Sequence, residues 1–218
     1  MNNHLTQDLY VCHTIYMSYI IAGLGNPGKE YEGTRHNTGR EALLSLSKSL
    51  SASSSDEEFS FDKKINALVL EIKIGKEKVM LVAPNTFMNK SGTAISKVVK
   101  SVKSAEKLIV IYDDFNLPLG TLKISFNRSS GGHNGLESVI KALKTPAFIR
   151  IRIGVSPSNA KGIAKAPHGD DKIEKFILGK YKDNEIKELK KVSKKAILAI
   201  EMILKEGKDK AMSVFNAS

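Results

Sequence analysis

His36 is the side chain best suited to move a proton near neutral pH, because a free imidazole titrates at about 6.5 and can take a proton from water. It stands in Thr34-Arg35-His36-Asn37, shortly after Gly23-Leu24-Gly25-Asn26-Pro27-Gly28 and Tyr31. Such a base needs a group to orient it. Asp113, in Asp113-Asp114-Phe115-Asn116-Leu117-Pro118, fills that role if its carboxylate accepts the proton of one ring nitrogen and leaves the other facing water. Asn26, Asn89 (in Asn85-Thr86-Phe87-Met88-Asn89-Lys90-Ser91-Gly92) and Asn134 (in Gly131-Gly132-His133-Asn134-Gly135-Leu136) come from three separated loops. An amide offers both donor and acceptor without adding charge, so these side chains, or nearby backbone N–H groups, can stabilise the oxyanion of a tetrahedral intermediate. Each has a plainer alternative: histidines in polar loops are often structural, and asparagines in glycine-rich turns cap backbone groups.

Other chemistries fit less well. The sequence has no Gly-x-Ser-x-Gly nucleophile elbow, and its single cysteine is Cys12, far from these blocks, so attack by water is simpler than a covalent acyl-enzyme. Gly23-x-Gly25-x-x-Gly28 is literally a dinucleotide-binding pattern. However, Pro27 and the polar run to Asn37 do not open an apolar-periodic helix, and no acidic residue ends a second strand about twenty residues on. A phosphate-binding P-loop is excluded by the lack of a Gly-Lys-Ser/Thr ending. His133 and His168 have no partners at ligand spacing, so no metal is expected, and His133 reads as a turn or supporting residue.

The elements that must carry these residues follow from periodicity. Tyr19 to Ala22 is a short buried strand stopped by Gly23. Glu41 to Leu50 suits a helix, and Ser45 to Asp56 is a serine-rich stretch expected to form a surface loop. Ala67 to Ile72 and Val79 to Ala83 read as strands joined by a turn near Gly75. Ser91 is placed to cap a helix with Ile95, Val98, Val99 and Val102 on one face. Leu108 to Tyr112 is a buried strand ending at Asp113, where the crevice of an open α/β sheet is usually lined. Thr121 to Phe126 and Ile149 to Val155 alternate, so each is expected to expose a polar face, the latter through Arg150 and Arg152. Leu136, Val139, Ile140 and Leu143 mark a helix starting at Asn134 and stopped before Pro146. Ile186 to Leu204 is a last amphipathic helix with lysines on its other face. The sum is a single-domain α/β protein with a mixed, twisted sheet flanked by helices.

The chain has 218 residues, enough for one domain with a substantial core. Its formal charge of +11 favours a polyanionic partner. One cysteine permits no intrachain disulfide and suits a reducing cytosol. No apolar run is long enough to span a bilayer. Residues 1–16 lack Lys and Arg, unlike a secretory or transit leader, and are expected to be a disordered extension. The domain is expected over residues 17–210, with 211–218 as a tail.

Together the four blocks resemble bacterial-type peptidyl-tRNA hydrolases, from about Tyr19 to the C-terminal helix. The resemblance implies hydrolysis of the ester between a peptide and its tRNA, so that tRNA is recycled during translation in the cytoplasm. It implies a monomer that uses no cofactor, needs no obligate protein partner, and recognises the tRNA acceptor end and the blocked amino group. It assigns His36 as base and Asp113 as its orienter. Asn26 matches the position that tells a peptidyl from a free aminoacyl substrate. Asn89, Asn134, Tyr31 and Phe87 match substrate contacts, and rings at Tyr31 and Phe87 can stack on the terminal adenine or pack on the peptide. Lys123 and Arg152 resemble tRNA phosphate contacts. Ser125 stands where a second basic residue is common, and Arg128 is positioned to restore that charge. Two rival functions remain: an RNA-binding protein on the same fold without hydrolysis, and a hydrolase of small N-acylated esters, which would not need the basic surface.

Overall fold

The computed structural model describes residues 19–50 and 58–217; the expected N-terminal extension and the second half of the serine-rich stretch lie outside them. Seven strands form one sheet: β1 (Tyr19–Gly23), β2 (Ser60–Asp62), β3 (Ala67–Ile74), β4 (Glu77–Pro84), β5 (Leu108–Pro118), β6 (Leu122–Phe126) and β7 (Ile149–Ser156). Their order is β2-β3-β4-β1-β5-β7-β6. The four central strands, β4, β1, β5 and β7, are mutually parallel. The antiparallel partners β3, β2 and β6 extend the two edges, which makes the sheet mixed, as expected.

Helices cover both faces, since parallel strands are apolar on both sides and must be shielded twice. On one face, α1 (Thr38–Leu50), α6 (Asp183–Glu206) and α7 (Lys208–Asn216) pack Leu43, Leu46, Ile200 and Ile203 onto Ile21, Leu81 and Ile111. On the other, α2 (Ser91–Ile95) and α4 (Asn134–Leu143) bring Ile95, Leu136 and Val139 against Ala22, Val82 and Val110. Two further helices are α3 (Val102–Ala105) and α5 (Asp170–Ile177).

Several expectations are corrected. Residues 45–50, where the expected helix and the expected serine-rich loop overlap, belong to the helix α1. The helix expected through Val102 breaks: α2 stops at Ile95, and Ser101 caps a separate α3 in a reciprocal pair with Ser104. Ser91 does not cap α2; it is the first helical residue, and its hydroxyl donates to the Met88 carbonyl at 2.8 Å. The presumed tail from 211 is mostly helical. Within α7, Ala211 is buried, and Asn216 pairs with both the N–H and the C=O of Ile124 at 2.8 and 2.9 Å. Finally, β7 exposes no polar face along Arg150. Arg150 is 1% exposed, covered by the carbonyls of Ser129 and Pro146 and by the Phe148 ring.

The strand ends set up a crevice. β1 stops at Gly23, in register with Ile111, while β5 continues to Pro118. Asp113 therefore lies just past the end of its neighbour, where the chain from β1 has turned away. The return of that chain into α1 is tight: a Cβ on Gly39 would stand 2.1 Å from the Ile111 carbonyl oxygen, so only glycine lets α1 begin this close to β5.

Candidate active site

His36 sits in a single 3-10 turn, Arg35–Asn37, at the mouth of α1. Its Nδ1 lies 3.1 and 3.0 Å from the two carboxylate oxygens of Asp113. Both side chains are buried, at 5% and 1% exposure. An ionised carboxylate only accepts, so the proton rests on His36 Nδ1, and the lone pair lies on Nε2.

A second imidazole meets the same carboxylate. His133 is the N-cap of α4, and its Nδ1 accepts from the backbone N–H groups of Gly135 and Leu136 at 3.1 and 3.3 Å. Its proton is thereby placed on Nε2, which donates to Asp113 Oδ1 at 3.2 Å. The ring of His133 lies 4.9 Å from those of His36 and Tyr112. The ligand atoms of His36, Asp113 and His133 converge within 4.8 Å of one another, as a metal site would require. The chemistry of His133 argues against that use: a metal on Nε2 would have to displace the proton that the two α4 amides fix there.

Burial by itself would raise the Asp113 carboxyl, but the charges of His36 and His133 and their hydrogen bonds outweigh it and hold the group well below the carboxylate range. For His36, burial works downward. The Asp113 charge and hydrogen bond exceed that effect, so the imidazole titrates above its ordinary value of 6.5. Burial pushes the Tyr112 hydroxyl up to about 12, with Asp114 adding to the effect, so it keeps its proton at neutral pH.

The asparagines divide into one structural hub and two exposed amides. Asn26 is buried, and its backbone exchanges two hydrogen bonds with the Asn37 side chain at 2.8 and 2.9 Å. Its Oδ1 accepts the Met88 N–H at 2.7 Å, so among the described residues its NH₂ remains the group available to a ligand. That bond ties the loop after β1 to the turn carrying Phe87 and Asn89. Asn89 and Asn134 are exposed, Asn134 directly following His133. Phe87, 56% exposed, meets Tyr31 edge to face at 6.3 Å. Asn26, His36, Asp113 and His133 are thus all buried polar residues, and Tyr31 and Phe87 form an aromatic pair with the Phe87 ring open to solvent.

Beside Asp113 and His133 opens a cavity of about 700 Å³, with Lys123, Arg128, Arg150 and Arg152 in its wall. Arg152 is half-buried and gives Nε to Asp114 at 2.8 Å. Lys123 Nζ donates to the Asn216 carbonyl at 2.8 Å. Arg128 is exposed. Arg150, read from the sequence only as a face residue, instead supports this wall from within: its guanidinium donates to the carbonyls of Arg128 and Ser129 and stacks over Phe148. Three other contributors were missed by sequence reasoning, namely Asn37, Arg35 and Glu185. The first two lie inside the His36 block, but Glu185 is 150 residues from its partner Arg35, and no local signal marks it.

These features define an α/β protein whose buried His-Asp-His cluster lies at the carboxyl ends of parallel strands beside a basic cavity. Residues 20–218 match the peptidyl-tRNA hydrolase family, and the chain belongs to it. It is 42% identical over 199 residues to the peptidyl-tRNA hydrolase of Alkaliphilus metalliredigens, and equally identical over 199 residues to that of Caldanaerobacter subterraneus, in each case covering 91% of this chain and 99% of the relative. The crystal structure of peptidyl-tRNA hydrolase from Acinetobacter baumannii superposes with a TM-score of 0.80 at 27% identity, covering 93% of this chain and 97% of that one.

Proposed function

We propose that this protein hydrolyses the ester joining a peptide to the 3′ end of tRNA, releasing both for further rounds of translation. His36 Nε2 takes a proton from water as that water attacks the ester carbonyl. Asp113 fixes the ring tautomer and stabilises the imidazolium that forms. His133 holds Asp113 through the same Oδ1 that His36 meets. The Asn26 amide, with Asn89 and Asn134, binds the peptidyl end and faces the developing oxyanion. Tyr31 and Phe87 carry the terminal adenine or the first peptide residues. Arg128 and Arg152, with Lys123, receive phosphates of the acceptor end in the cavity next to the cluster. No metal or organic cofactor takes part, and the enzyme works as a cytoplasmic monomer.

The observation carrying this reading is the 3.0 Å contact between His36 and a buried carboxylate that a second histidine also binds. Among the described residues no helix is long and apolar enough to cross a membrane. The test is release of labelled N-acetyl-aminoacyl groups from tRNA by the protein and by His36→Ala, with unblocked aminoacyl-tRNA as control. Release by the parent alone, sparing the control, is expected. Salt-sensitive tRNA binding without release by either protein would replace hydrolysis with RNA binding.

A further inference from the structure

The catalytic turn is fastened from behind by a segment far away in sequence. Arg35, just before His36, donates Nη2 to both carboxylate oxygens of Glu185 at 3.0 Å, and Nη1 to the carbonyls of Gly179 and Lys180 at 3.1 and 3.0 Å. Its guanidinium lies over the rings of Phe176 and Tyr181 at 4.6 and 4.9 Å. On the other side of His36, Thr38 Oγ1 meets the Tyr181 hydroxyl at 2.7 Å. The backbones pair as well: Arg35 N–H donates to Gly179, and Tyr181 N–H donates to Gly33, both at 3.1 Å. Glu185 also accepts the Lys182 N–H at 2.7 Å, which starts α6. Apolar packing contributes less here, because α1 and α6 leave between them a groove of about 370 Å³, with Ile186 38% exposed at its edge.

We infer that Arg35, Glu185 and Tyr181 are positioning residues for the base, holding the turn so that the His36 ring stays on Asp113. The inference rests on the reading of His36 given above. An arginine suits the task because one nitrogen of its planar fork serves the carboxylate and the other the two carbonyls, while its faces stack on aromatic rings, a set that lysine cannot reproduce. The groups meeting His36 are the Asp113 carboxylate from β5 and the His133 ring at the start of α4, while the Arg35 guanidinium in its own turn is directed to Glu185. Tyr181 lies on the loop behind, and Glu41 of α1 is tied to the Gly33 N–H at 2.7 Å. Once the clamp is loosened, the contact with Asp113 lengthens, and with it goes the interaction that holds the imidazole above its ordinary value.

The experiment compares Glu185→Gln, Arg35→Lys and Tyr181→Phe with the parent, measuring kcat and KM on N-acetyl-aminoacyl-tRNA and the NMR titration of His36. Small displacements of a reacting group commonly cost about 10- to 100-fold in rate. A kcat loss of that size is expected, with KM within about twofold and the His36 midpoint moved down toward 6.5. An unchanged kcat and midpoint, accompanied only by a lower Tm, would reduce the clamp to a structural role. Should Glu185→Gln not fold, Tyr181→Phe, which removes one oxygen atom, carries the same readouts. Activity surviving in His36→Ala would overturn the assignment of the base, whereas a dead His36→Ala beside an unaltered Glu185→Gln would overturn the clamp alone.

Discussion

Asp113 makes opposite demands on stability and on catalysis. Its carboxyl is held below the ordinary 3.8, so its contribution to stability is present above that pH and lost as pH falls through the lowered value. His36 is raised, so its contribution is fully present below 6.5 and fades as pH rises through the raised value. The pair therefore stabilises the fold most in the mildly acid window between those two ordinary values, where His36 is protonated and cannot act as a base. The kcat/KM profile is expected to have its acid limb above pH 6.5, with activity rising as His36 loses its proton. Asp113→Asn removes the charge and leaves burial as the main influence on His36, which should then titrate below 6.5. The amide NH₂ can also turn toward Nδ1 and stabilise the wrong tautomer, for a kcat loss on the order of 10³- to 10⁴-fold. A pH series of Tm and an NMR titration of His36 in both proteins check the two signs. An acid limb that stayed in place in Asp113→Asn would assign it to another group.

The last helix tests how edges are managed. β6 is an edge strand, and an unpaired edge exposes backbone donors and acceptors. The Asn216 amide takes both free groups of Ile124, in effect adding one residue of strand from a helix end. Asn216→Ala should cost about 1–3 kcal/mol, the penalty for leaving such groups unpaired, read as a lower midpoint in urea denaturation with an unchanged slope. Equal midpoints would mean that water replaces the amide. Nothing in the residues after 211 signalled this role, because one asparagine at a helix end has no periodicity. The strands were legible, though not their order in the sheet: Tyr19–Ala22 and Leu108–Tyr112 are short apolar runs, and Ile149–Val155 shows the alternation of a strand. The face of Arg150 was not, since alternation predicts exposure only for a strand with one open side, and the carbonyls of residues 128, 129 and 146 with the Phe148 ring close over that side chain. Of the candidate site, the meeting of His36 with Asp113 was legible because both stand in local blocks. Its fastening to Glu185 depends on how α6 returns across the sheet.

The formal charge of +11 acts at the scale of the whole molecule. Phosphate contacts displace counterions, so kcat/KM on N-acetyl-aminoacyl-tRNA should fall linearly with salt on logarithmic axes, by roughly 0.7 to 0.9 per contact. The corresponding N-acetyl-aminoacyl ester of adenosine alone carries no phosphate and should show a shallow dependence, because the buried cluster that would act on it is built from neutral amides and a His-Asp pair. The cavity wall refines the prediction. Arg152 gives Nε to Asp114 and also meets the Tyr112 side chain, yet it stays partly exposed in the cavity wall, so Arg152→Gln should reduce the slope by about 1 if its guanidinium also meets a phosphate. Arg150 is spent differently: buried, it holds the backbone of residues 128 and 129. Arg150→Gln should therefore lower Tm and weaken every substrate that relies on that wall, with no separate change of slope beyond the lost Arg128 contact. If Arg152→Gln and the parent gave the same slope, the phosphates would be met elsewhere on the basic surface. The lysine-bearing face of α6, exposed at Lys187, Lys190, Lys191, Lys194 and Lys195, would then be the next region to neutralise, one lysine at a time.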